Sequence, residues 1–343
     1  MNKAIKIIFF SLIFLILPGI SLATDTQQDK SFEKIFYYSY LKSGVESFKQ
    51  NASKIDVFAP QLYTLNYNLK VTGKMPADMR KIISENNTQV MPLIVQANFN
   101  QKLIHKLLIS PNTQNSLINT LVKEAKKENY IGWQFDFEHM IYTDRDRYTK
   151  FVKKAHDRFK KENLILSVAA IARTDDDNQN TSAYKNWGGV FDYKKIAENS
   201  DFISIMAYDD PESIGPTASL DYVKSILTYL EDKVPPEKLS LGIPMYYWKW
   251  DLNSLKKVDT GSYSKLEILR KTYFSTEGFD ENLGVAWLAY SNLGKNYKVW
   301  HENQKSFQLK YDLVKDKGLR GFSAWVLGVE DPSIWNIIPI KNI

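Results

Sequence analysis

Apolar runs of strand length alternate with amphipathic helical patterns over most of the chain. The runs cover residues 35–40, 55–65, 90–96, 130–140, 164–171, 202–208, 239–246 and 321–327. Helical periodicity occupies most of the intervals, at 43–50, 77–85, 115–128, 148–162, 193–198, 220–231 and 306–317. In the 115–128 stretch, Leu117, Ile118, Leu121, Val122 and Ala125 recur at the i, i+3, i+4 spacing of one helix face. Eight strands alternating with helices predict an α/β fold, a closed (β/α)8 TIM barrel with its active site at the C-terminal strand ends. Two features break the rhythm. Pro92 falls inside the third run, where it removes a ladder hydrogen bond. The interval 248–320 is too long for a simple connection between the seventh and eighth strands. Strand-like phrases at 283–290 and 297–300 predict a small α+β insertion there, on the barrel rim.

The fourth run alternates strictly. Trp133, Phe135 and Phe137 share one parity; Gln134, Asp136 and Glu138 share the other. Successive side chains of a strand point to opposite faces. The aromatic set is therefore expected to pack on helices, and the polar set to face the barrel interior. Two carboxylates so close on one face do not both ionise easily, so one pKa rises into the range of a general acid near neutral pH. A solvated acidic strand end is the plain alternative, which the flanking aromatics oppose.

The N-terminus adds a targeting signal. Lys3 and Lys6 precede an apolar stretch at 7–17, Pro18 and Gly19 break it, and Ser21-Leu22-Ala23 offers small residues for cleavage after Ala23. Residues 1–23 thus read as a signal peptide, with an apolar stretch short for a span of about 20 residues. Residues 24–31 read as a flexible polar leader before a catalytic domain at 32–343. The mature protein is expected to be secreted, periplasmic or extracellular. Loss of the signal takes away two lysines and no acid, so the net charge of +6 becomes +4, without a basic stripe. Nucleic acid is not an expected partner. The chain has no cysteine, which excludes disulfide staples, thiolate metal sites and attachment through an N-terminal Cys. His105, His139, His156 and His301 form no zinc spacing, and Asp175-Asp176-Asp177 lacks the residues of a calcium loop. No metal or cofactor is expected, and the default oligomeric state is a monomer.

The fourth run also resembles the Asp-x-x-Asp-x-Asp-x-Glu signature of glycoside hydrolase family 18, the chitinase family. Its four positions hold Ile131, Gln134, Asp136 and Glu138. Three further blocks resemble that family in order: Ser204-Ile205-Met206-Ala207-Tyr208-Asp209, Leu241-Gly242-Ile243-Pro244-Met245-Tyr246, and the stretch from Gly321-Phe322-Ser323-Ala324-Trp325 to Asp331. The resemblance implies retaining hydrolysis of β-1,4 bonds in polymers containing N-acetylglucosamine, assisted by the substrate's own acetamido group. It implies Glu138 as proton donor, Asp136 as partner of the acetamido N–H, and Tyr208 as donor to the acetamido carbonyl. Trp325 is expected as the floor of the subsite, shaped further by Asp209, Met206 and Tyr246. Tyr38, on the first strand, is expected either in the pocket or in the barrel filling. Gln134 stands where the family usually has Asp, and is expected among the substrate-binding residues. Being neutral, it is expected to let Asp136 ionise more readily while still donating a hydrogen bond to it. An amide here, with Phe137 before the acid, resembles the branch that acts on spore peptidoglycan. Chitin, chitooligosaccharides, peptidoglycan and N-linked glycan cores all remain candidate substrates. A non-catalytic, lectin-like barrel or a glycoprotein-binding effector is the alternative from another class.

Overall fold

The computed structural model describes residues 32–177 and 179–341. The signal and leader expected at 1–23 and 24–31 lie outside them. The barrel wall begins with β1 (Glu33–Tyr38), β2 (Val57–Pro60), β3 (Tyr63–Leu65), a short hairpin partner β4 (Val71–Thr72), β5 (Gln89–Val90) and β6 (Leu93–Gln96). It continues with β7 (Gly132–Asp136), β8 (Ile165–Ile171), β9 (Phe202–Met206) and β10 (Leu239–Pro244). An insertion then supplies β11 (Tyr247–Asp251), β12 (Lys256–Gly261), β13 (Ser275–Asp280), β14 (Val285–Asn292) and β15 (Lys295–His301), before β16 (Gly321–Trp325) completes the wall. The helices are α1 (Lys42–Asn51), α2 (Ala77–Glu85), α3 (Gln101–Leu108), α4 (Pro111–Glu128), α5 (Arg145–Lys160), α6 (Ser182–Asn186), α7 (Tyr193–Glu198), α8 (Leu220–Leu230), α9 (Tyr263–Thr272) and α10 (Gln304–Asp316).

The wall runs β4-β3-β6-β7-β8-β9-β10-β16-β1-β2-β5, and its two ends are the two halves of one seam. β2 pairs with β5 through Val57 and Gln89, and β3 pairs with β6 through Tyr63 and Ile94. The second and third barrel strands are thus each interrupted, at Gln61-Leu62 and at Met91-Pro92, and the ring closes across the interruption. Pro92 sits in that gap. Met91 N–H still donates to Phe58 O at 3.0 Å and Gln134 N–H to Pro92 O at 3.0 Å, so the missing proline N–H breaks no ladder bond. Helix α4 starts four residues before the stretch expected at 115–128, because Ser110 caps it from outside and Pro111 opens its first turn.

Side-chain parity sorts the core into two layers. Trp133, Phe135 and Phe137 join the layer between wall and helices; the Trp133 indole N–H donates to Leu121 O on α4 at 2.9 Å, and Phe135 stacks on Phe151 of α5. Ile35, Tyr37, Val57, Ala59, Leu93 and Phe202 fill the barrel interior. The insertion is a five-stranded antiparallel sheet, β12-β11-β15-β14-β13, with α9 packed on it. Its strands β12 and β13 escaped the apolar pattern because both are edge strands with polar, largely exposed sequences. Among the described residues, no helix is long and apolar enough to cross a membrane.

A buried ion pair joins the insertion to the barrel. Lys310 of α10 holds both oxygens of Glu302, at 2.8 and 3.0 Å, with both side chains buried. Lys310→Met leaves that carboxylate buried and unpaired, and is expected to destabilise the fold by about 3–5 kcal/mol in urea unfolding. Adding Glu302→Leu should recover most of the loss. A single variant as stable as the parent would show that water reaches the site.

Candidate active site

β7 delivers its polar parity to the open end of the barrel. Asp136 is its last residue and is buried; Glu138, one pleat further on, is half-buried and opens on a cleft. Two glutamines hold this pair. The Glu138 N–H donates to Gln96 Oε1 at 3.3 Å, and Gln96 Nε2 donates back to the Glu138 carbonyl. Gln96 is buried at the end of β6, so it fixes the backbone that aims the Glu138 carboxyl. Gln61 lies in the interruption after β2, its N–H bound to Tyr38 O at 2.8 Å, and its Nε2 reaches Asp136 Oδ2 at 3.4 Å. The break in the second strand is therefore what brings an amide to Asp136.

Burial pushes the Asp136 carboxyl up to about 6, partly offset by the Gln61 hydrogen bond. Glu138 is pushed up to about 8, first by burial and then by the charges of Asp136 and Asp209. Between those values Asp136 is ionised while Glu138 keeps its proton, which is the division of labour that acid catalysis with an electrostatic partner needs.

Two hollows share Asp209, and the first of them opens on Glu138. One, of about 510 Å³, is lined by Glu138, Met206, Tyr208 and Asp209 together with Arg173 and Trp187. The other, of about 490 Å³, is lined by Asp209, Tyr246, Trp248, Lys257 and Trp325. Asp209 belongs to both, in a left-handed turn (φ 58°) after β9, and accepts the Tyr246 hydroxyl at 2.6 Å. Tyr208 stands edge-on to Tyr246, with ring centroids 6.4 Å apart. Gly242 makes room for it, since a Cβ there would lie 2.4 Å from Ile205 O and 3.0 Å from the Tyr208 ring. Trp325 rests on Tyr37, centroids 5.4 Å apart. Glu138, Asp136, Tyr208, Asp209, Met206, Tyr246 and Trp325 are thus gathered at one end of the barrel.

Two expected residues are elsewhere. Tyr38 points outward and packs on Phe58 behind α1; its neighbour Tyr37 has the inward parity. The apolar run 35–38 carries no alternation that could have told them apart. Gln134 is 0% exposed and touches no cleft. Nor does it bond Asp136. Its Oε1 accepts from the Tyr37 hydroxyl at 2.7 Å, and its two amide hydrogens go to Ser167 Oγ at 2.9 Å and Ser204 Oγ at 3.0 Å. Ser204 continues to Ser323 and Ser323 to Ser240, so a neutral polar layer closes the barrel beneath the site. The acidic triplet also holds no special array. Asp176 pairs with Arg173 at 2.6 Å, and among the described residues no His, Cys, Asp or Glu cluster could hold a metal ion.

Gln134→Asp places a second carboxyl in that layer, beside Asp136. Like charges resist joint ionisation, so the Asp136 pKa should rise further. The acid limb of the pH–rate profile is expected to move to higher pH, with the alkaline limb less affected. An unmoved acid limb would show that position 134 and Asp136 do not interact.

The chain has relatives that match it over most of its length. An uncharacterized glycosylase, YvbX of Bacillus subtilis, is 26% identical over 323 residues, 92% of this chain and 88% of its own. The cortical fragment-lytic enzyme of Bacillus subtilis is 25% identical over 307 residues, 85% of this chain and 70% of its own. The crystal structure of a chitinase from Chromobacterium violaceum shares the fold, with a TM-score of 0.80 and 24% identity over 90% of this chain and 98% of that one. Residues 31–330 match the family described as glycosyl hydrolases family 18, and with the barrel and the carboxylate pair at its mouth this makes the chain a member of that family, an O-glycosyl hydrolase.

Proposed function

We propose that the chain is an exported, retaining hydrolase that cuts β-1,4 bonds in polymers containing N-acetylglucosamine, using the substrate's acetamido group as nucleophile. The carrying observation is the pair itself: a buried Asp136 and, on the same face, a Glu138 that burial and two neighbouring carboxylates keep protonated at the cleft. Glu138 gives its proton to the glycosidic oxygen as the bond to C1 breaks. The acetamido carbonyl oxygen closes on C1, forming an oxazolinium ion, an exception to the two-carboxylate scheme. Asp136 accepts the acetamido N–H and offsets the positive charge. Tyr208 donates to the carbonyl oxygen, and Trp325 supports the apolar face of the sugar. Glu138, now a carboxylate, takes a proton from the water that opens the ring, and so returns to its starting state. Gln96 and Gln61 act through these two, as positioning residues.

The cortical fragment-lytic relative and the chitinase of the same fold support glycan strands of peptidoglycan and chitooligosaccharides as the two substrates to compare. Mass spectrometry of the products identifies which is cut. Proton NMR of the first product should show the β-anomer, and oligomers of glucosamine, which lack the acetamido group, should resist cleavage. An α-anomer, or equal cleavage of the deacetylated oligomer, would overturn the mechanism. Export is supported by the Lys3, Lys6 and 7–17 pattern and is checked by an N-terminal Thr24 on protein recovered outside the cell.

A further inference from the structure

The insertion sheet has two ends. The chain enters from the barrel at Tyr247 and leaves at His301, and Trp248 pairs with Trp300 beside both. At the other end three connections come together, at 252–256, 271–275 and 291–296, because Asp251 lies opposite Lys256 and Tyr297, Ser275 opposite Tyr290, and Ser291 opposite Asn296. Leu252 N–H donates to Asn296 O at 2.8 Å, Asn296 N–H to Asn253 Oδ1 at 2.8 Å, and Asn292 Nδ2 to Tyr273 Oη at 3.3 Å. The three connections form one edge.

That edge is apolar and basic. Leu252, Leu255, Phe274 and Leu293 are 43%, 56%, 97% and 94% exposed. The same segments hold Lys256, Lys271 and Lys295 and no acidic residue. The flanking carboxylate, Asp251, is buried, accepts the Asn253 and Ser254 N–H groups, and pairs with Lys295 at 3.5 Å.

Two of the leucines occupy backbone positions that disfavour them. Leu255 (φ 54°) and Leu293 (φ 51°) are left-handed, and Leu293 precedes Gly294 at φ 75°. Two positive φ values in a two-residue hairpin turn call for Asn-Gly. A leucine there is opposed both by its own backbone and by water, and at 94% exposure it packs on almost nothing within the fold. The folded chain alone gives no reason for leucine at that tip.

We propose that this edge docks on an anionic lipid bilayer, with Leu252, Leu255, Phe274 and Leu293 among the headgroups and the lysines against lipid phosphates. Glycan polymers offer flat faces to aromatic rings, and three of these four side chains are aliphatic. The five-residue β11, at about 3.3 Å per residue, sets that surface roughly 20 Å from Tyr246, where the chain leaves the barrel. The enzyme would then work on glycan lying against a membrane.

The test uses the chain from Thr24 onward, which keeps the whole compact unit at 32–341, sedimented with vesicles. Vesicles of phosphatidylglycerol mixed with phosphatidylcholine should carry it down; phosphatidylcholine alone should not, and high salt should release it. Leu293→Asn combined with Phe274→Ser should cut the bound fraction by about tenfold. Leu293→Asn alone suits the turn, so its Tm should equal or exceed that of the parent, which separates lost docking from lost folding. Hydrolysis of soluble oligosaccharides should be unchanged. A parent that stays in solution, or a double variant that sediments equally, would overturn the proposal. So would a dimer that Leu293→Asn disperses, which would assign the edge to a second copy of the chain.

Discussion

Glu138→Gln is expected to lower kcat by about 10³-fold, within the range that a positioned general acid contributes. The amide is nearly isosteric and retains one N–H for the glycosidic oxygen, but it has no transferable proton. KM should change little, because the groups that hold the sugar remain in place. The substitution also has a stability signature of definite sign. The ordinary carboxyl value is 4.5, and in the folded protein Glu138 is pushed up to about 8. The folded state therefore binds this proton more tightly than the unfolded state does. Stability falls as pH rises between those values and is fully retained only below the lower one. Removing the carboxyl removes the loss, so the variant should gain Tm over the parent at pH 8 and gain little at pH 4. A variant that is inactive but shows no growing gain with pH would mean that Glu138 is not held protonated by its surroundings.

The same pair sets the activity profile of the parent. Asp136 must be ionised and Glu138 protonated, so rate should rise through about 6 and fall through about 8. The alkaline limb depends on neighbours, and this separates residues that touch substrate from residues that merely support the fold.

The position of that pair was legible because β7 carries an unbroken alternation, and an alternation of five or more residues fixes which side chains face the barrel. Trp133, Phe135 and Phe137 fell outside the wall and Asp136 inside, as the parity required. The first strand offered no such signal, since Ile35, Phe36, Tyr37 and Tyr38 are all apolar, and only three-dimensional closure decides that Tyr37 faces inward. Gln134 was legible as an inward residue but not as a satisfied one. Its partners, Ser167, Ser204 and Tyr37, come from three other strands, and no local pattern announces a contact between residues 33, 70 and 97 positions apart. Gln96 and Gln61 were missed for the same reason. Each sits at a strand end or interruption, and its target lies on another strand of the wall.

Asp136→Asn is expected to lower kcat by about 10²–10³-fold, the scale of losing one preorganised electrostatic partner. The amide oxygen can still accept the acetamido N–H, so orientation survives; the charge that offsets the oxazolinium ion does not. The decisive readout is the pH profile. With Asp136 neutral, its acid limb disappears. Its charge also no longer raises the Glu138 pKa, so Glu138 deprotonates at lower pH and the alkaline limb moves downward. Burial and Asp209 continue to hold the Glu138 carboxyl above its ordinary value, so the limb should shift without collapsing to that of a free carboxyl. A purely structural Asp136 would lower the rate at every pH alike and leave both limbs where they were. Loss of rate with an unmoved alkaline limb would therefore remove Asp136 from the reacting pair and leave Asp209 as the neighbour that governs Glu138.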